Sequence, residues 1–129
     1  MKNIREPDFS KPVDILAFFD NHFGGCGCSE IQPMQKTVIE LLEWHSADIM
    51  TRPHYDTLFN GDSGVFYIIA GIMTDADLVE HGGSIRSGWI TKTGKALLIG
   101  LKMFTADEIE DCKPEEAYDG CTYGDITKL

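Results

Sequence analysis

The chain is short of positive charge: 11 Lys and Arg stand against 21 Asp and Glu in 129 residues, a formal net charge of −10. An acid excess of this size keeps a protein soluble and leaves few cations to meet nucleic-acid phosphates. Long apolar runs are lacking too. Nothing approaches the roughly 18 consecutive apolar residues of a membrane span, and the start MKNIREPDFSKP has no apolar stretch after its Lys and Arg, as a secretory signal would require. No membrane association and a cytoplasmic location are therefore expected. There is no Gly-x-x-x-x-Gly-Lys phosphate loop and no Gly-x-Gly-x-x-Gly dinucleotide turn. Cysteine is sparse, and the four present are read in a reducing compartment as thiols or metal ligands before disulfides.

What is present is the material of one core. With 43% apolar residues, a quarter charged and seven Phe, a chain of this length suits a single domain of roughly 100 to 150 residues. SKPVDILAFFDNHFGG sets Ile15, Leu16, Phe19 and Phe23 at helical spacing between Ser10-Lys11-Pro12 and Gly24-Gly25, a first helix. A second follows, with Met34, Val38, Leu41, Leu42 and His45 on one face; its start is either a capping box of Ser29 and Gln32 or a first turn at Pro33. MTRPHYDTLFNGDSG reads as a connection with a helical turn near Tyr55 to Phe59, closed by Asp62 or Ser63 as a cap. Beyond it, Val65, Ile68, Ile69, Ile72 and Met73 form the apolar face of a third helix, preferred over a strand. Leu78 to His81 pairs with Gly88 to Ile90 across Gly82-Gly83, whose freedom at positive φ suits a hairpin turn. Thr91 then caps a last helix with Leu97, Leu98, Leu101 and Phe104 facing inward. The expected fold is mainly α with a small β-hairpin: an N-terminal arm over residues 1–10, a core over 11–106, and an acidic tail over 107–129 that either extends or packs back.

LVEHG leading into WITKTGKALL, after helices and before a closing helix, resembles the C-terminal half of winged helix-turn-helix domains. The matching residues are Leu78, Val79, Ile90, Thr91 and Gly94, and the resemblance covers residues 62–104. It implies a winged-helix-like core, with Ser63 to Ala76 in the place of the recognition helix. The departure is chemical. Between Gly61 and Glu80 there is no Lys, Arg, Asn or Gln, the residues that read base edges, while Asp62, Asp75, Asp77 and Glu80 would repel phosphate.

Charge is also unevenly placed. His81 to Ala106 carries Arg86, Lys92, Lys95 and Lys102 and no acid, so Arg86, Lys92 and Lys95, with Trp89, are the candidate contacts of the hairpin. The tail from Asp107 carries eight acids and two lysines; Asp107, Glu108, Glu110, Asp111, Glu115 and Glu116 make its candidate acidic surface. Such runs are commonly solvated faces, and the other reading is that the tail shields the hairpin or meets a basic partner.

Cys26 and Cys28 lie one residue apart, and Cys112 and Cys121 follow in the tail. With His22 as a substitute ligand, these four would clamp the tail to the end of the first helix around a structural zinc. Structural zinc pairs are usually separated by two to four residues, so the first pair is tighter and the second wider than that spacing. Plain thiols in a glycine turn and redox use stay open as alternatives. GDSG at Gly61 to Gly64 resembles the nucleophile stretch of trypsin-like proteases, but a small helical chain lacks their double barrel, and Asp62-Ser63 is read as a helix cap. His45, His54 and His81 meet no constrained nucleophile and orienter. The expectation is a non-catalytic binding module that acts by protein–protein contact as a regulator, adaptor or inhibitor, without a cofactor beyond that zinc. Two alternatives stay open: an acidic nucleic-acid mimic that blocks a nucleic-acid-binding protein, as small viral inhibitors do, and a winged-helix DNA-binding regulator acting as a homodimer and responding to metal or redox state.

Overall fold

In a computed structural model, which describes residues 6–23 and 31–112, the chain forms five α-helices and one two-stranded antiparallel sheet. The order is α1 (Pro12–Phe23), α2 (Ile31–Ser46), 3-10 turns at Tyr55–Thr57 and Phe59–Gly61, α3 (Ser63–Asp75), β1 (Val79–Glu80), a third 3-10 turn at Ile85–Ser87, β2 (Trp89–Ile90), α4 (Lys92–Met103) and α5 (Ala106–Glu110). The core joins Ile15 and Phe19 of α1, Leu41 and Leu42 of α2, Phe66 and Met73 of α3, and Leu97 and Leu101 of α4, all sealed from solvent. Burying a side chain of this size contributes about 1.5–3 kcal/mol, so these layers decide the fold.

The helix boundaries follow from local chemistry and from distant partners. Pro12 opens α1, where its missing N–H costs nothing. Ser10 does not cap it; the Ser10 hydroxyl donates to Asp8 Oδ1 at 2.6 Å. Asp14, fully buried in the first turn, accepts the Asp8 N–H at 2.7 Å and so ties the arm to the helix. The start of α2 is satisfied from afar: the Ile31 N–H donates to Glu110 Oε1 at 3.2 Å, while Ser29 of the expected capping box lies outside the described residues. In return, the Gln35 side chain of α2 donates to the carbonyls of Leu101 and Phe104 at 2.8 Å each, closing the end of α4. α5 completes the arrangement. It carries a capping box of Thr105 and Glu108 and buries Ile109 completely.

α3 is the helix its periodicity suggested, capped by Asp62, whose carboxylate accepts the Val65 N–H at 3.1 Å. Its inner face is different. Phe66, Ala70 and Met73 are buried, whereas Ile68 is 65% exposed and Tyr67 42%. The segment is apolar nearly all round, so spacing alone could not pick the buried side, and the rod is not enclosed on every side. Its end is a Schellman closure with an aspartate where glycine is usual: Leu78 N–H donates to Met73 O at 2.9 Å and Asp77 N–H to Thr74 O at 3.1 Å, with Asp77 at φ 63°.

The hairpin is shorter and looser than expected. Val79 pairs with Ile90 and Glu80 with Trp89, and residues 81–88 connect them through the turn at Ile85–Ser87 in place of a tight turn at Gly82-Gly83. Neither of those glycines adopts positive φ. The glycine that matters is Gly94. A Cβ there would fall 2.1 Å from the Leu78 carbonyl oxygen, so only glycine lets the first turn of α4 lie against the chain entering β1. Thr91 caps that turn, accepting the Gly94 N–H at 3.0 Å and donating its hydroxyl to Asp77 O at 2.6 Å.

Candidate functional site

A hollow of ≈ 440 Å³ opens where the end of α2, the connection after it and the residues between β1 and β2 meet. Trp44 forms its inner wall. The ring is nearly buried and its indole N–H donates to Pro53 O at 2.9 Å, which folds the connection back over the helix end. Arg52 lies across that ring, with its guanidinium carbon 4.0 Å from the ring centroid. Its Nη2 donates to Gly88 O at 2.7 Å and its Nη1 to Trp44 O at 3.4 Å, so one side chain joins helix, connection and hairpin.

The opposite wall is Tyr55 with Arg86. The Arg86 guanidinium carbon stands 5.5 Å from the Tyr55 centroid. Tyr67 of α3 lies against Tyr55 with ring centroids 5.9 Å apart, and the polar groups of Tyr67 and Arg86 beside the Tyr55 hydroxyl hold that phenol below its usual range. Tyr67 is raised by its neighbour Tyr55, and Arg86 is raised by the same two phenols. Ser84, Ser87, Ile49, Pro53 and His54 complete the lining. His54 Nδ1 lies 2.7 Å from Asp56 Oδ1 and 3.3 Å from the Asp56 N–H; the shorter contact is one that a ring N–H donates.

Beneath the hollow, His45 is 2% exposed. Its Nδ1 is 2.9 Å from Leu41 O, the acceptor typical of a helical histidine, which makes Nδ1 the protonated nitrogen. Nε2 has no hydrogen-bond partner among the described residues. Burial first, and then the charges of Arg52 and His81, drive its pKa from 6.5 down to about 4, against the opposing pull of the Leu41 carbonyl. His45 is thus neutral, and no nucleophile or carboxylate is paired to it among the described residues. Gly88 sits directly on it: a Cβ at that position would be 3.3 Å from the imidazole and 2.6 Å from Glu80 O.

No family model, curated protein or solved structure matches this chain. The site therefore rests on its own chemistry.

Of the residues singled out from sequence, Arg86 lies in this hollow. Trp89, 49% exposed, follows it on β2. Lys92 lines a separate hollow with Glu6, Pro7, Phe18 and Asp77, so the expected basic stripe is divided. Lys95 is exposed on α4, and Lys102 is engaged with Glu43. On the acidic side, Glu108 and Glu110 spend oxygens on the N–H groups of Thr105 and Ile31, while Asp107 and Asp111 are exposed. Glu115 and Glu116 lie outside the described residues, as do Cys26, Cys28 and Cys121. The Cys112 thiol contacts Glu108 O at 3.2 Å, and no group of three metal-ligating side chains occurs among the described residues. Sequence reasoning missed Trp44, Arg52 and Tyr55. Arg52 and Tyr55 sit in a connection whose path no periodicity describes, and Trp44 looked like one more position on α2.

Proposed function

We propose that the chain is a non-catalytic binding module that engages another protein through the corner formed by the end of α2, the 47–62 connection and the hairpin. The observation that carries this reading is the hollow itself: Trp44, Tyr55, Arg52 and Arg86 are the residue types that dominate binding energy at protein interfaces, where they work in concave, partly desolvated positions. Ile49 and Met50 beside Arg52, and Trp89 after Gly88, supply exposed apolar surface around it.

The chemistry favours a protein over a nucleic acid. The outward side of α3 presents Tyr67 and Ile68 and no cation, and the arginines of the corner are propped on rings instead of being spread along a groove. The order α3, hairpin, α4 supports a winged-helix scaffold put to this use, with Gly94 making the close approach that its pattern requires. A photo-crosslinking residue at Trp89 tests the reading when the chain is exposed to extract of its source cell. A single crosslinked protein, lost in Arg86→Glu and retained in Ile99→Ser on the far helix, is the expected outcome. Equal capture by both variants, or salt-sensitive binding of duplex DNA in place of protein, would refute it.

A further inference from the structure

The hollow is a cationic place in an acidic chain. Its lining contains two guanidinium groups and no carboxylate, against 21 Asp and Glu in the sequence. The two acids nearest in the chain are bonded elsewhere, Asp48 Oδ1 accepting the Met50 N–H at 2.9 Å and Asp56 contacting His54, although the Asp48 charge still reaches Arg52 through space. No ion pair to Arg52 or Arg86 occurs among the described residues. A guanidinium has five N–H donors. Arg52 directs one nitrogen to Gly88 O and another, at longer range, to Trp44 O; Arg86 stands with its guanidinium carbon 5.5 Å from the Tyr55 centroid. Donors on both are left for a ligand, and Arg52, which lies over the Trp44 ring and is bonded to two carbonyls, is ordered before it arrives, which lowers the ordering cost of binding.

We propose that this hollow receives an acidic side chain of the partner protein, an Asp or Glu carboxylate seated between Arg52 and Arg86 with an apolar neighbour against Ile49 and Tyr55. The assignment rests on the reading of this corner as a protein-contact surface. Charge decides between one carboxylate and a polyanion. A single acid can sit at contact distance from both guanidiniums, whereas charges farther than about 10 Å are screened. A nucleic-acid strand would also lay phosphates over Asp48, Asp56 and Asp62, which are exposed on the same connection.

The test uses the full chain and two tryptophan-free peptides, acetyl-Gly-Leu-Glu-Phe-Gly-amide and its Gln counterpart, followed by the NMR signals of the Trp44 indole N–H and the arginine side chains. The Glu peptide should shift the Trp44 and Arg86 signals saturably, weaken with added salt, and lose about tenfold in affinity in Arg86→Gln, with Arg86→Lys retaining part. The Gln peptide should not bind there. Unchanged thermal unfolding of Arg86→Gln keeps its loss interpretable. Equal effects of the two peptides, no shift at the highest soluble concentration, or displacement of the Glu peptide by a short DNA duplex would overturn the proposal. If the peptide fails while the Arg86-dependent crosslink at Trp89 persists, the ligand assignment falls and the contact surface stands; if the crosslink also fails, the surface itself is wrong.

Discussion

Replacing Gly94 by alanine sets two physical effects against each other with calculable sizes. Within a helix, alanine is favoured over glycine by about 0.8–1 kcal/mol, so propensity alone predicts a more stable protein. The packing says the reverse. The new Cβ would sit 2.1 Å from Leu78 O and 2.8 Å from Ile90 Cγ1, and the first of these is backbone that cannot rotate away. Separating them moves α4 from the chain entering β1, where Leu78 O accepts the Thr91 N–H at 3.0 Å. Overpacking of this kind costs about 1–3 kcal/mol, and loss of the hydrogen bond adds about 1 kcal/mol. Less the propensity gain, Gly94→Ala should destabilise by about 1–3 kcal/mol, and Tm should fall by roughly 5–20 °C. Gly71→Ala, in the middle of α3, provides the control, because a Cβ there has no atom within 4 Å. It should gain about 0.8–1 kcal/mol and raise Tm by about 4–8 °C. Urea and thermal unfolding followed by circular dichroism measure both. A Gly94→Ala protein as stable as its parent would show that α4 does not lie where it is described and that the close approach at the hairpin is wrong.

Three further outcomes follow from the same geometry. The pKa of His45 is lowered from 6.5 to about 4 on folding, so its contribution to stability is intact above pH 6.5 and is lost as pH falls towards 4. Between pH 7 and pH 5 the loss should be about 2 kcal/mol in urea denaturation, and His45→Gln should remove most of that slope; an unchanged slope would place the titration elsewhere. Asp77→Gly relieves a left-handed residue at the end of α3 and should stabilise by about 1 kcal/mol, read as a higher urea midpoint at constant slope, whereas a lower midpoint would contradict the closure assigned there. Glu110→Ala removes the long-range cap of α2 and should cost about 0.5–2 kcal/mol, with faster amide exchange at Ile31 as the local signature; an unperturbed Ile31 amide would count against that cap.

How much was legible beforehand differs from element to element. Thr91 and Asp62 were readable as caps because capping is local: an oxygen three residues before an N–H meets it in almost any helix start. The inward faces of α2 and α4 were readable because polar residues alternate with apolar ones at helical period. α3 failed that test. With Val65, Phe66, Tyr67, Ile68 and Ile69 in succession, every direction is apolar, and the buried side was settled by which neighbours came to cover it. The hairpin failed for another reason. Gly82-Gly83 offered a turn, but the pairing begins farther out, and the eight-residue connection takes its shape from Gly88 resting on His45 and from Arg52 bonded to its carbonyl.

The sequence by itself determined the helical class, the helix order, the acid excess and the lack of any Lys or Arg between Gly61 and Glu80, because each of these is a property of composition or of residues within one or two turns of each other. Only the tertiary structure decided which charges stand together. It divided Arg86 from Lys92, which lie six residues apart on what sequence presented as one basic stripe, and it joined Arg86 to Arg52, Tyr55 and Trp44 across a stretch of about forty residues. Burial of Trp44 and the bonds Arg52 makes to distant carbonyls produce that grouping, and such forces act between surfaces that come together only once the core has formed.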